Sequence, residues 1–111
     1  MKLERLDLAK ADFDKAIMLK DDVPRTYLNR GDVYLAMYEF KLVHINYDLA
    51  IELDPDNHVF WHAKGLAYQQ DKDYRSALES FEKALELEPD NDPTVYHIGL
   101  MQRKLEMLPE A

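Results

Sequence analysis

Cysteine is absent from this chain of 111 residues, which removes both a disulfide framework and a thiolate metal site. That lack is compatible with a cytoplasmic or nuclear setting. Long hydrophobic runs are also missing. None approaches the roughly 18 apolar residues of a membrane span, and the opening MKLERLDLAK has no apolar core of the kind a signal peptide carries. Basic residues are scarce: 14 Lys and Arg stand against 22 Asp and Glu, a net charge of -8. Binding to a phosphate backbone needs clustered cations that release counterions, so neither nucleic acid nor a membrane surface is an expected partner. The 32% of charged residues reads as a solvated acidic face. Hydrophobic residues make up 47%, enough for one folded domain over residues 1–111 and too many for a disordered segment.

Glycine is the most informative scarcity. There are three, Gly31, Gly65 and Gly99, and each lies 34 residues from the next. The same interval separates Pro55 from Pro89 and links Asp22, Asp56 and Asp90. It also links Ala16, Ala50 and Ala84, the rings Phe13, Tyr47 and Phe81, Tyr34 with Tyr68, and Tyr27 with Trp61. A fixed period of this length signals stacked supersecondary units.

The residues at these positions resemble the tetratricopeptide repeat, a helix-turn-helix with the pattern W-x2-L-G-x2-Y, then A-x3-F, then A, then P. In the unit 58–91, Trp61, Gly65, Tyr68, Ala77, Phe81, Ala84 and Pro89 match, while Lys64 replaces the usual Leu. In the unit 24–57, Gly31, Tyr34, Ala50 and Pro55 match, while Tyr27, Arg30, Val43 and Tyr47 are replacements. The resemblance covers nearly the whole chain and implies an all-α, right-handed solenoid.

The types at these places have physical reasons. A glycine inside a helix costs about 1 kcal/mol relative to alanine, so its recurrence calls for close backbone approach between paired helices. Proline after Leu85-Glu86-Leu87-Glu88 removes a donor and ends the second helix. The expected helices are Met1–Leu19, Arg25–Tyr38, Phe40–Leu53, Val59–Gln70, Tyr74–Leu87, and one opening at Asp92-Pro93 and stopped by Leu108-Pro109. The chain then holds an orphan second helix (half repeat 1–23), two complete units, and an orphan first helix (92–111). The mid-unit beginning favours a piece of a longer array. Residues 35–40 lack turn residues, so the two helices around them have a second arrangement open to them, fusion into one long helix that exchanges a half with another chain.

Catalysis finds no support in the sequence. Ser76 and Ser80 have no evident base beside them, and no glycine-rich phosphate loop is present. His58 and His62, four apart, with His97, are the best metal candidates, but no glutamate completes a zincin motif. We therefore expect no enzyme activity, no metal and no cofactor.

The resemblance implies that the first helices line a concave groove receiving an extended peptide or a helix. Helical phase places Leu28, Asp32 and Leu35 on the stripe beside the core series Tyr27, Gly31 and Tyr34. His62, Leu66 and Gln69 follow on the next first helix, then Tyr96, Leu100 and Arg103, with Arg25, Asn29 and His97 at the edge. The expected partner is a protein or peptide. The uncovered ends offer a second surface: Leu6, Ala9, Phe13 and Ile17 at one, Leu100, Met101 and Met107 at the other. Their contact would build a homo-oligomer end to end. A third reading is the carboxylate clamp by which some family members hold acidic chaperone tails. Tyr27-Leu28-Asn29-Arg30-Gly31 carries its asparagine, but Leu28, Asp32, Val59 and Ala63 occupy the remaining clamp positions.

Overall fold

The computed structural model describes residues 3–107, with side chains from residue 5 onward. Those residues form six α-helices and no strand: α1 Leu3–Leu19, α2 Pro24–Ala36, α3 Phe40–Leu53, α4 His58–Gln70, α5 Tyr74–Leu87 and α6 Asp92–Glu106. The fold is the all-α helix-turn-helix array expected. The proposed starting residue of the first helix, Met1, and the stop at Leu108-Pro109 lie outside the described residues. The contacts divide into two compact units, Met1–Pro55 and Asp56–Ala111.

In the first unit, α2 packs on α3 and on α1. A side chain at Gly31 would run into the ring of Tyr47. The recurrent glycine is thus the close approach its cost demanded. The Tyr47 hydroxyl donates to Asp32 Oδ1 on the neighbouring turn of α2. Arg30, at the family's leucine position, ties all three helices together. Its Nη1 donates to Asp14 Oδ1 on α1 at 2.8 Å, and its Nε donates to Asn46 Oδ1 on α3 at 2.7 Å. Its guanidinium also lies 5.7 Å from the centre of the Tyr27 ring.

In the second unit, α4 and α6 both pack on α5. The seat is repeated: a side chain at Gly65 would collide with Phe81. Phe81 has no hydroxyl, and the counterpart of Asp32 is Leu66, so polar pair and apolar pair substitute for each other one period apart. Lys64 repeats Arg30, its ammonium 5.7 Å from the centres of Trp61 and Tyr68. Asn57, Asp73 and Asn91 cap α4, α5 and α6 by accepting from Val59, Ser76 and Thr94 backbone N–H groups.

Several expectations are corrected. The helix before residue 40 ends at Ala36, two residues early, and the segment 37–39 turns, which overturns the fused-helix arrangement. Tyr38 adopts φ 60 and Lys72, one period on, φ 62. Glu39 N–H donates to Tyr34 O and Asp73 N–H to Tyr68 O, the longer bond of a Schellman ending. Backbone geometry therefore closes the first turn without any turn-forming residue. Leu28 is 4% exposed and belongs to the core, not the groove. It sits 100° round the helix from Tyr27, inside the width of an apolar stripe. Leu6 and Met101, expected at bare ends, are 4% and 0% exposed. Met101 joins Ala77 and Phe81 in the core because α6 turns that face onto α5.

Candidate peptide-binding faces

On α2, Arg25 and Asp32 are exposed and Asn29 and Leu35 are half-buried. With Leu28 withdrawn, this face is mostly polar. Asp32 is engaged by Tyr47, and its partial desolvation raises its carboxyl above the usual range against the opposing hydrogen bond and the Arg25 charge. Burial, then Asp32, pushes the Tyr47 phenol far upward, so it stays a donor throughout the physiological range.

The second unit carries the richer face. Leu66 on α4 is 37% exposed and Tyr96 on α6 is 66% exposed, both large apolar side chains with one flank open. Arg103 is exposed, and His62, Gln69, His97 and Leu100 are half-buried. Leu100 leans on the Ala77, Phe81 and Met101 core, so it contributes an edge of the surface rather than a projecting side chain. Two open depressions mark the face. One, of about 230 Å³, is lined by His58, Val59, His62, Asn91 and Pro93. The other, of about 310 Å³, is lined by Val95, Tyr96, Gly99, Leu100 and Arg103.

A ring cluster underlies this face. His97 stacks on Phe81 with centroids 5.1 Å apart, and His62 tilts against the same ring at 5.2 Å. The two imidazoles meet edge to face at 5.4 Å. Sequence reasoning missed Thr94, the fully buried hydroxyl that fixes His62. Thr94 Oγ1 donates to Asn91 Oδ1 at 3.0 Å, so at its 2.9 Å contact with His62 it accepts, and the imidazole carries its proton on Nδ1. Burial, with the neighbouring His97 and His58, lowers the His62 pKa. The only sequence signal for Thr94 was its column: Phe60 stands one period earlier.

Among the described residues no group of three His, Cys, Asp or Glu side chains could hold a metal ion. His58 and His97 keep buried Nδ1 atoms without a hydrogen-bond partner there. No described helix is long and apolar enough to cross a membrane.

The family model for the tetratricopeptide repeat matches residues 59–91, the stretch in which Gly65 lies beneath Phe81. Residues 59–91 are a tetratricopeptide repeat. It has the fold of solved tetratricopeptide-repeat domains. The first such domain of Spaghetti (RPAP3), bound to the HSP90 peptide SRMEEVD, is similar with a TM-score of 0.83 and 21% identity, over 93% of this chain and 82% of that one. The domain of Sgt2 from Aspergillus fumigatus is similar with a TM-score of 0.81 and 26% identity, over 93% of this chain and 70% of that one. YrrB, described as a tetratricopeptide-repeat protein with an unusual peptide-binding site, shows a TM-score of 0.75 and 30% identity, over 85% of this chain and 48% of that one. No curated protein sequence matches. The tetratricopeptide repeat at residues 59–91 supports a protein-interaction module.

Proposed function

We propose that the chain binds a peptide or helix of a partner protein on the face shared by α4 and α6, with residues 24–57 and 58–91 as its two repeats and 1–23 and 92–111 as half repeats. The observation that carries this reading is the exposure of Leu66 on α4 and Tyr96 on α6, with one depression lined from both helices and another lined by Tyr96 itself. Large apolar side chains beside concave surface are what a partner's apolar side chains would cover. The solved relative that holds an HSP90 peptide supports peptide binding as the type of activity.

An acidic chaperone tail is the less favoured occupant. The clamp positions hold Val59 and Ala63, and the chain's net charge is -8, so a carboxylate-rich peptide meets neither fixed cations nor an attractive field. The cysteine-free composition is compatible with a cytoplasmic or nuclear setting for this binding.

Affinity capture from a native lysate tests the proposal. Leu66→Arg and Tyr96→Ala should each abolish capture of the wild-type partner while leaving the helical circular dichroism unchanged, since both side chains project from the packed core. Capture that survives both substitutions would overturn it.

A further inference from the structure

Beyond the columns that pack on its partner helix, α3 carries a second apolar row. Leu42, Ile45, Leu49 and Leu53 recur at three and four residues and so align along one side of the helix. Leu42, Ile45 and Leu53 are 36%, 47% and 44% exposed, and Leu49 is half-buried. One period on, α5 holds Ser76, Glu79, Lys83 and Leu87 in the same columns, and it packs on α4 as α3 packs on α2. The helix pair therefore forms with three polar residues at these places, and its packing does not call for the apolar ones in α3. Single exposed leucines are ordinary, whereas an aligned row marks a contact surface.

The row ends at an open depression of about 280 Å³, lined by Asp21, Tyr27, Leu49, Glu52 and Leu53, all within the first unit. Its side-chain polar groups can only accept further hydrogen bonds. The Tyr27 hydroxyl already gives its proton to the Asp21 carbonyl at 2.8 Å, and the carboxylates of Asp21 and Glu52 are exposed. No ion pair among the described residues engages either carboxylate. The nearby Arg30 guanidinium is committed to Asp14 and Asn46. In the second unit the counterpart of Glu52 is answered, with Lys83 Nζ 3.7 Å from Glu86 Oε1. Leu49 stands in that lysine's column, so Glu52 lacks the cation that Glu86 has. Asp21, in the column of Pro55 and Pro89, adds a second negative charge. The volume falls below the roughly 300–1,000 Å³ usual for small-molecule sites and suits one long side chain. A lysine or arginine fits, its methylenes on Leu49 and Leu53 and its charged head at the carboxylates.

We infer that α3 docks a basic amphipathic helix of a partner protein, its apolar residues along Leu42, Ile45, Leu49 and Leu53 and a lysine or arginine in the corner of Asp21 and Glu52. The row from Leu42 to Leu53 runs about 17 Å, so a helix of about three turns covers it. The acidic corner, in a chain of net charge -8, attracts a basic occupant on approach and repels an acidic one. The missing cation names the occupant's chemistry, and the straight row of leucine and isoleucine names its shape. This surface shares no residue with the face proposed on α4 and α6, so the two readings stand or fall separately.

The probe is a fluorescently labelled amphipathic helix of leucine and lysine, about three turns long, beside a second peptide with glutamate in place of every lysine. Fluorescence anisotropy with the full chain reads affinity, and amide shifts of the isotope-labelled chain read the place. The lysine peptide should bind and shift the amides of α3, and the glutamate peptide should not bind. Ile45→Glu and Leu49→Lys copy the residues that α5 carries in the same columns, so the helical circular dichroism should be unchanged. Each should weaken binding about tenfold, the first by removing apolar contact and the second by giving Glu52 an internal cation. Glu52→Lys should weaken it by about as much through like-charge repulsion. Leu66→Arg should leave it unchanged. A lysine peptide that does not bind overturns the inference. So does equal binding of the glutamate peptide, binding that survives both Ile45→Glu and Glu52→Lys, or shifts confined to α4 and α6.

Discussion

At the scale of single residues, the glycine columns decide how tightly paired helices close. Gly65 lies under Phe81, where any side chain forces the ring or the helix to move. Overpacking of this kind costs about 1–3 kcal/mol. Gln69, one turn on, is half-buried near the surface. Gly65→Leu should therefore lower the melting temperature by several degrees or more and Gln69→Leu should barely change it. Thermal unfolding of both variants checks this, and equal melting temperatures would contradict the packing described for α4 and α5. The Arg30 and Lys64 positions carry a related lesson. Both replace the family's leucine by a long cation laid on the aromatic ring three residues earlier, and in Arg30 the charge is engaged between helices by Asp14 and Asn46.

At the scale of elements, the helices end where the backbone can satisfy its own carbonyls. Tyr38 and Lys72 both take the left-handed conformation that closes α2 and α4. A residue with a Cβ carries a cost of about 1 kcal/mol there, and glycine does not. Tyr38 is 73% exposed and touches Phe40 only edge-on, with centroids 6.2 Å apart. Lys72→Gly and Tyr38→Gly should each raise stability in urea unfolding, Lys72 by the larger part of that cost and Tyr38 by somewhat less because its ring contact is lost. A fall in both midpoints would mean that the side chains, not the backbone, hold these turns.

At the scale of the whole molecule, three of the shifted groups, His62, Asp14 and Asp32, set how stability responds to acid. The His62 pKa is lowered from 6.5 by burial and by His97 and His58. A lowered histidine contributes stability that is present above its unfolded pKa and lost as pH falls through the folded value. Asp14 acts in the same direction at lower pH. Burial alone would raise its carboxyl, but hydrogen bonds and charge from Arg30 and Lys10 outweigh that and hold it down. Its contribution is lost as acid protonates it. Asp32, raised chiefly by desolvation, runs the other way and favours the fold at low pH. Of these three groups, only His62 has its ordinary pKa between about pH 7.5 and 5. Urea midpoints should fall over that window in the wild type, and His62→Gln should flatten the fall. An equal fall in the variant would remove His62 as its cause.

The period of 34 and the residues on it determined much of this protein before any coordinates. Helix number, the pairing within each repeat, the closeness at Gly31 and Gly65, and the extent of α3 and α5 all follow from local spacing. Each depends on which residues recur on one helical face, and a repeat prints that information again at every period. Tertiary structure alone decided the rest. It turned residues 37–39 without a turn residue, because left-handed geometry at Tyr38 and the bond to Tyr34 are properties of the closed backbone. It drew Leu28, Leu6 and Met101 into the core, since burial at the margin of a stripe depends on how far the neighbouring helix leans over it. It also gave Gly99 open surroundings despite its place in the same column as Gly31 and Gly65. A column records what kind of neighbour a residue suits, and only the folded chain shows whether that neighbour is there.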